Sequence, residues 1–70
     1  MAMKFTPKSS HLTGVEYDPA TRALLVTFKN GSRHLHSGVP QEAYDNFAKY
    51  RSAGQFYHYL AKLHPGTKLK

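Results

Sequence analysis

The sequence predicts a small α+β domain, in which a three-stranded antiparallel sheet is followed by two helices packed on one face. Turn signals divide the first half of the chain into strand-length segments rich in β-branched and large apolar residues. The second half repeats apolar residues at three- and four-residue spacing, which is typical of amphipathic helices. The predicted order of elements is therefore β-β-β-α-α.

The three predicted strands are separated by two turns. Residues 12–17 form the first strand candidate, and Asp18 and Pro19 then favour the first two positions of a type I turn. Residues 23–29 form the most strand-like segment of the chain, and residues 32–37 form the third candidate.

The second turn determines which side chains share a face of the sheet. Asn30 and Gly31 are a strong signal for a two-residue hairpin, because both residue types tolerate a positive φ. A two-residue turn places Leu35 on the core face and both His34 and His36 on the opposite face. A three-residue turn with a bulge would shift the pairing by one residue and reverse this arrangement. We predict the two-residue turn.

Two helices are predicted after the strands. Pro40 suits the first position of a helix, and apolar residues follow it at helical spacing. Ser52 and Gln55 fit a capping box that begins the second helix, and Pro65 and Gly66 end it.

The length and the charge balance limit the classes of function. The chain has 70 residues, with ten Lys and Arg against four acidic residues, which gives a net charge of +6. No acidic residue follows Asp45, so the C-terminal third carries unbalanced positive charge. Such a field attracts nucleic acid or an acidic protein surface. The alternative is that the charge only maintains solubility.

The ends of the chain are predicted to lie outside the folded unit. We expect a flexible N-terminal segment at residues 1–8, a single domain at residues 9–65 and a basic C-terminal tail at residues 66–70. The chain has no cysteine, no leader-like segment and no apolar run of membrane-spanning length. We therefore expect a soluble, cytoplasmic, monomeric protein.

No motif in the sequence predicts catalysis or a cofactor. A nucleophile motif, paired carboxylates and a Gly-rich phosphate loop are all missing. His34 and His36 would point to the same side of a strand and could share a metal ion, but nothing places a third ligand beside them. We interpret them as an exposed pair, and we expect no bound metal and no enzymatic activity.

The candidate partner-binding residues are found by exclusion. A domain this small needs its large apolar residues in the core. The basic, imidazole and phenol side chains therefore remain as the surface groups best able to bind a partner. The predicted set is Arg22, Arg33, His34, His36, Tyr57, His58 and Lys62.

An ordered series of short motifs resembles the KTSC domain family, over roughly residues 9–65. The series comprises Ser9-Ser10, Tyr17-Asp18, Leu24, Val26, Phe28, Asn30-Gly31, Val39-Pro40, Tyr44, Ser52, Gly54, Phe56-Tyr57 and His64-Pro65. The family is named after the C-terminal extension of some lysyl-tRNA synthetases, and it also occurs as small stand-alone bacterial and phage proteins. The central Tyr-x-Tyr of the family falls at His34-Leu35-His36 in this chain.

The resemblance implies two kinds of partner. The relatives in lysyl-tRNA synthetases imply that RNA is the partner. The chain is also similar in size and basic character to small lytic-phage regulators that bind the host RNA polymerase, which implies inhibition of initiation through weaker sigma-factor engagement, together with antitermination. We expect a non-enzymatic regulator that binds a bacterial RNA polymerase subunit. A small RNA-binding domain is the alternative.

Overall fold

The structure, a computed structural model, describes residues 3–7 and 10–69. In these residues five strands form one antiparallel sheet in the order β1-β2-β3-β4-β5, and two helices precede the last strand. The elements are β1 (Met3–Phe5), β2 (Leu12–Asp18), β3 (Ala23–Phe28), β4 (Arg33–His36), α1 (Gln41–Lys49), α2 (Ala53–Leu63) and β5 (Gly66–Lys68).

The prediction of a three-stranded sheet is wrong, because a short strand is added at each edge. β1 pairs with β2 and β5 pairs with β4, and each added strand is three residues long. Strands this short have almost no sequence pattern of their own, and pairing with a longer neighbour stabilises them. β1 lies within the predicted N-terminal segment and β5 within the predicted tail. The predicted boundary between residues 8 and 9 lies outside the described residues.

The turn between β3 and β4 also differs from the prediction. The amide of Gly31 donates to the carbonyl of Phe28 at 3.0 Å, and the amide of Phe28 donates to the carbonyl of Ser32 at 2.8 Å. Gly31 has a φ of +92°, whereas Asn30 does not have a positive φ. A two-residue type I′ turn would need a positive φ at both positions. The chain instead forms a type I turn followed by a glycine bulge.

This bulge shifts the β3–β4 register by one residue. His34 lies opposite Val26 and His36 lies opposite Leu24, so both imidazoles are on the core face. Leu35 lies opposite Leu25 on the other face. The prediction that the histidines are exposed on the outer face and that Leu35 is in the core is therefore wrong.

The two helices cover one face of the sheet, as predicted. α1 contributes Tyr44 and Phe47 to the core, and α2 contributes Ala53 and Leu60. They meet buried side chains of β2, β3 and the segment before α1, which are Leu12, Val15, Tyr17, Leu24, Val26 and Val39. α2 begins directly after Ser52, but the Ser52 side chain makes no capping hydrogen bond. The capping-box motif therefore marks the start of α2 without forming the box.

Candidate binding surfaces

A chain of hydrogen bonds links β4 to α2 and to the residue after it. The hydroxyl oxygen of Tyr57 lies 3.3 Å from Nδ1 of His34 and 3.0 Å from Nε2 of His36. Nδ1 of His36 lies 2.6 Å from the carbonyl oxygen of His64. β4 presents both imidazoles to Tyr57 because residues i and i+2 of a strand point the same way. The ring of Phe28 packs beside this network, 4.9 Å from His34 and 5.3 Å from Tyr57 between centroids.

The partners in this network determine which atoms donate. The carbonyl oxygen of His64 can only accept, so Nδ1 of His36 carries a hydrogen. In a neutral imidazole Nε2 then accepts, and the Tyr57 hydroxyl donates to it. The Tyr57 oxygen is left to accept from Nδ1 of His34. Donation therefore runs in one direction, from His34 through Tyr57 and His36 to the backbone of His64.

Burial favours the neutral form of His36 in this network. His36 is only 1% exposed, and its desolvation is the main cause that lowers the pKa of its imidazole. The hydrogen bond to His64 raises the pKa of His36, and charge on the imidazoles of His34 and His64 lowers it further. Burial also raises the pKa of Tyr57. The network is thus a polar anchor between β4 and α2.

The structure brings together three of the seven predicted partner-binding residues, which are His34, His36 and Tyr57. His36 is buried, whereas His34 and Tyr57 are half-buried. The other four lie at three separate places. These are Arg22 in the β2–β3 turn with a φ of 58°, Arg33 at the start of β4, and His58 and Lys62 on the exposed side of α2.

A cationic corner, defined here as Lys29, Arg33 and Lys68, lies where the β3–β4 turn meets β5. All three side chains are exposed. The register places Lys68 opposite His34, and the amide of Leu69 donates to the carbonyl of Arg33 at 2.7 Å. The four acidic residues of the chain lie on β2 and α1, and none lies on β3, β4, β5 or the turn. The corner therefore has positive charge without a carboxylate on its own elements.

An aromatic surface, defined here as Tyr50, Phe56, Tyr59 and Leu63, runs along the outer side of the helices. Tyr50 is 52%, Tyr59 59% and Leu63 58% exposed. The Phe56 ring joins them, with its centroid 5.1 Å from that of Tyr50 and 6.1 Å from that of Tyr59. Phe56 also stacks on buried Phe47 at 5.6 Å, so the surface is supported by the core.

Tyr59 stands between two open clefts. One cleft, of about 300 Å³, is formed with Tyr50 and Gln55. The other, of about 320 Å³, lies between α1 and the end of α2, with Glu42 and Leu63 in its lining. Sequence analysis did not include Tyr50 and Tyr59 among the binding residues. Tyr59 precedes buried Leu60 on α2, and this neighbouring helical position is the signal that could have found it. Tyr50 follows the last residue of α1 and has no such signal.

Two other kinds of site are not found in the described part of the chain. Residues 3–7 and 10–69 contain no cluster of three or more His or acidic side chains placed to hold a metal ion. Neither helix in those residues has the length and apolar character needed to span a bilayer.

Comparison with known proteins identifies the family. The profile of the KTSC domain matches residues 8–62. The chain is also similar to the crystal structure of a KTSC domain protein from Yersinia pestis, with a TM-score of 0.81 and 28% sequence identity, over 100% of this chain and 97% of the other. No curated protein matches the sequence. The match covers most of the chain and agrees with the fold, and this protein belongs to the KTSC domain family.

Proposed function

We propose that this protein is a non-enzymatic regulator that binds a subunit of bacterial RNA polymerase through the aromatic surface. The observation that supports a protein partner is the exposure of Tyr59, which is 59% exposed, between two clefts. Exposed aromatic side chains beside pockets are typical of the anchor residues of protein interfaces. The choice of RNA polymerase comes from the resemblance to small phage regulators.

The charges around the aromatic surface limit the partner's chemistry. Lys49 and Arg51 flank Tyr50 in the sequence and are exposed, whereas Glu42 lines the cleft at the opposite end. A segment with apolar side chains for the clefts and acidic side chains near Tyr50 would be complementary to this arrangement. When this protein binds such a segment, the engagement of the polymerase with sigma factor would be weakened.

Binding to purified RNA polymerase, treated with nuclease, tests this proposal. We expect the wild-type protein to bind the enzyme and to reduce transcription from a promoter in vitro. Tyr59→Ala should weaken binding at least tenfold, mainly through faster dissociation. Leu69→Ala is the matched control, because Leu69 is also a large exposed apolar residue, 48% exposed, but lies outside the helical surface. Equal binding by the two variants would refute the assignment of the surface.

The cationic corner favours a second candidate function, which is RNA binding. Three exposed cations on elements without acidic residues form a site for the phosphates of a nucleic acid backbone. The position of the Tyr-x-Tyr motif does not supply a stacking surface in this chain, because His34 is half-buried and His36 is buried.

Salt dependence separates the two candidates. If RNA binds at the corner, Arg33→Gln and Lys68→Gln should each weaken binding and reduce the salt slope by about one unit. Lys4→Gln is the matched control, because it removes the same charge from β1 at the other edge of the sheet. RNA affinity that responds equally to all three changes would indicate attraction by net charge alone. RNA binding lost in Tyr59→Ala would instead place RNA on the aromatic surface.

A further inference from the structure

We infer that His36 is an acid-sensitive latch that holds β5 against the sheet, and that protonation of His36 releases this strand. The inference does not depend on which partner the protein binds. It rests on the contacts that His36 makes with α2, with His64 and with the first residue of β5.

β5 begins directly against the imidazole of His36. Gly66 lies opposite His36 in the β4–β5 register. A Cβ atom at Gly66 would lie 2.5 Å from Nδ1 and 2.6 Å from Cε1 of His36, which no real Cβ tolerates. The imidazole therefore occupies the space where the side chain of residue 66 would lie. The same ring binds the carbonyl of His64, two residues earlier, so one side chain fixes the chain's entry into β5.

The neutral form of His36 is satisfied by its neighbours, whereas the charged form is satisfied only while His34 stays neutral. A protonated imidazole has two N–H donors, and Nε2 would then have to donate to the Tyr57 oxygen. The Tyr57 hydroxyl could turn to donate to Nδ1 of His34, but only while His34 is neutral. If both histidines are protonated, both face the Tyr57 oxygen with donors, and the Tyr57 hydrogen has no acceptor in the network.

Within residues 3–7 and 10–69, no carboxylate is among the charged groups that act on His36. The titratable groups that face it are His34 on β4, Tyr57 on α2 and His64 after α2. β5 adds Lys68, which is opposite His34, and β3 contributes the apolar Leu24 opposite His36. The charged form is therefore buried among groups that are neutral or positive, which disfavours the closed arrangement. Burial lowers the pKa of His36 for the same reason.

β5 is the element that this change can release. Its three residues are all exposed, so little apolar burial holds it in place. Its remaining attachment is backbone pairing with β4, in which Leu69 donates to Arg33 and, by the alternation of antiparallel pairs, Thr67 donates to Leu35. Elements with few buried contacts open locally at low free energy, without unfolding of the whole domain.

Amide hydrogen exchange of the full chain, measured by NMR between pH 7.5 and 5, tests the latch. Over part of this pH range, His36 is protonated when β5 is open but neutral when β5 is closed. In that part, we expect the protection factors of the Thr67 and Leu69 amides to fall by about tenfold per pH unit. The amide of Val26, in the middle of β3, should stay protected while the amides of Thr67 and Leu69 lose protection. The imidazole signals of His36 should titrate in the same pH range as β5 opens.

His36→Asn separates the latch from a general loss of stability at low pH. Its side-chain amide can still donate to the carbonyl of His64 but does not titrate, so β5 protection should no longer depend on pH. His58→Asn is the matched control, because His58 is exposed on the outer side of α2, and it should keep the wild-type response.

If His36→Asn does not fold, the wild-type protein still decides the question. Titration of His36 without loss of β5 protection would overturn the proposal. So would β5 opening that follows the titration of His58 or the His64 side chain instead of His36.

Discussion

The hydroxyl group of Tyr17 donates a hydrogen bond to the carbonyl oxygen of Val39, at a distance of 2.5 Å. Tyr17 is 1% exposed and Val39 is fully buried, so water cannot replace either group. The Tyr17 ring also stacks on Tyr44 with centroids 5.1 Å apart. One side chain of β2 therefore positions both the segment before α1 and the first turns of α1.

We expect Tyr17→Phe to keep the fold but to reduce the free energy of unfolding by about 1–3 kcal/mol, because it leaves a buried carbonyl without a donor. Urea denaturation measures the change. Tyr50→Phe is the control, since Tyr50 is half exposed and its hydroxyl is accessible to water. Equal stability of the two variants would show that the Tyr17 hydrogen bond does not stabilise the fold.

Gly31→Val should destabilise the β3–β4 hairpin by about 1–2 kcal/mol or more, because a β-branched residue disfavours the positive φ at this position. The cost is conformational, since no atom lies within 4 Å of an added Cβ. Gly31→Asn should cost less, because Asn tolerates a positive φ. Thermal unfolding followed by circular dichroism compares the two. A wild-type melting temperature for Gly31→Val would contradict the bulged turn.

Gly66→Ala should displace β5 from β4, because its methyl group would overlap the His36 imidazole and the carbonyl of Leu35. We expect a loss of about 1–3 kcal/mol in the stability of this region. A double-mutant cycle with His36→Ala provides the check, because removing the ring should make the methyl group less harmful. Additive effects of the two changes would contradict direct contact.

The protein should become less stable below neutral pH. Burial holds the pKa of His36 in the folded state below its ordinary value of 6.5, so the unfolded chain takes up a proton first as the pH falls. Above pH 6.5 this effect is absent. Below it, the free energy of unfolding should fall by up to about 1.4 kcal/mol per pH unit, until His36 also protonates in the folded state. Denaturation of wild type and His36→Asn at pH 7, 6 and 5 measures the difference. A parallel decline in the two proteins would assign the effect to other groups.

The central strands and both helices were predictable because each has a pattern of its own. The run of residues 23–29 gave β3, and the spacing of apolar residues with Pro40 and Ser52 located the helices. The edge strands were not predictable in the same way. Met3 and Phe5 alternate about Lys4, but three residues are too few to distinguish a strand from a loop.

The site was less predictable than the fold, because it depends on register. The sequence allowed either turn at Asn30 and Gly31, and a shift of one residue moves every side chain of β4 to the other face. His36 is therefore buried for a reason that lies outside β4. Tyr57 was singled out for its phenol, but its role as the hydrogen-bond partner of two histidines depends on the helix packing on that particular face.

The bulge at Gly31 also has a consequence for how such domains diverge. Removing one residue from the turn would reverse the orientation of β4, so that Leu35 faced inward and the two histidines faced solvent, without any substitution in the strand. A change of one residue in the length of this turn can thus exchange the buried and the exposed side chains of β4 in a single step. Alignments of relatives that ignore a one-residue gap here would equate positions on opposite faces of the sheet.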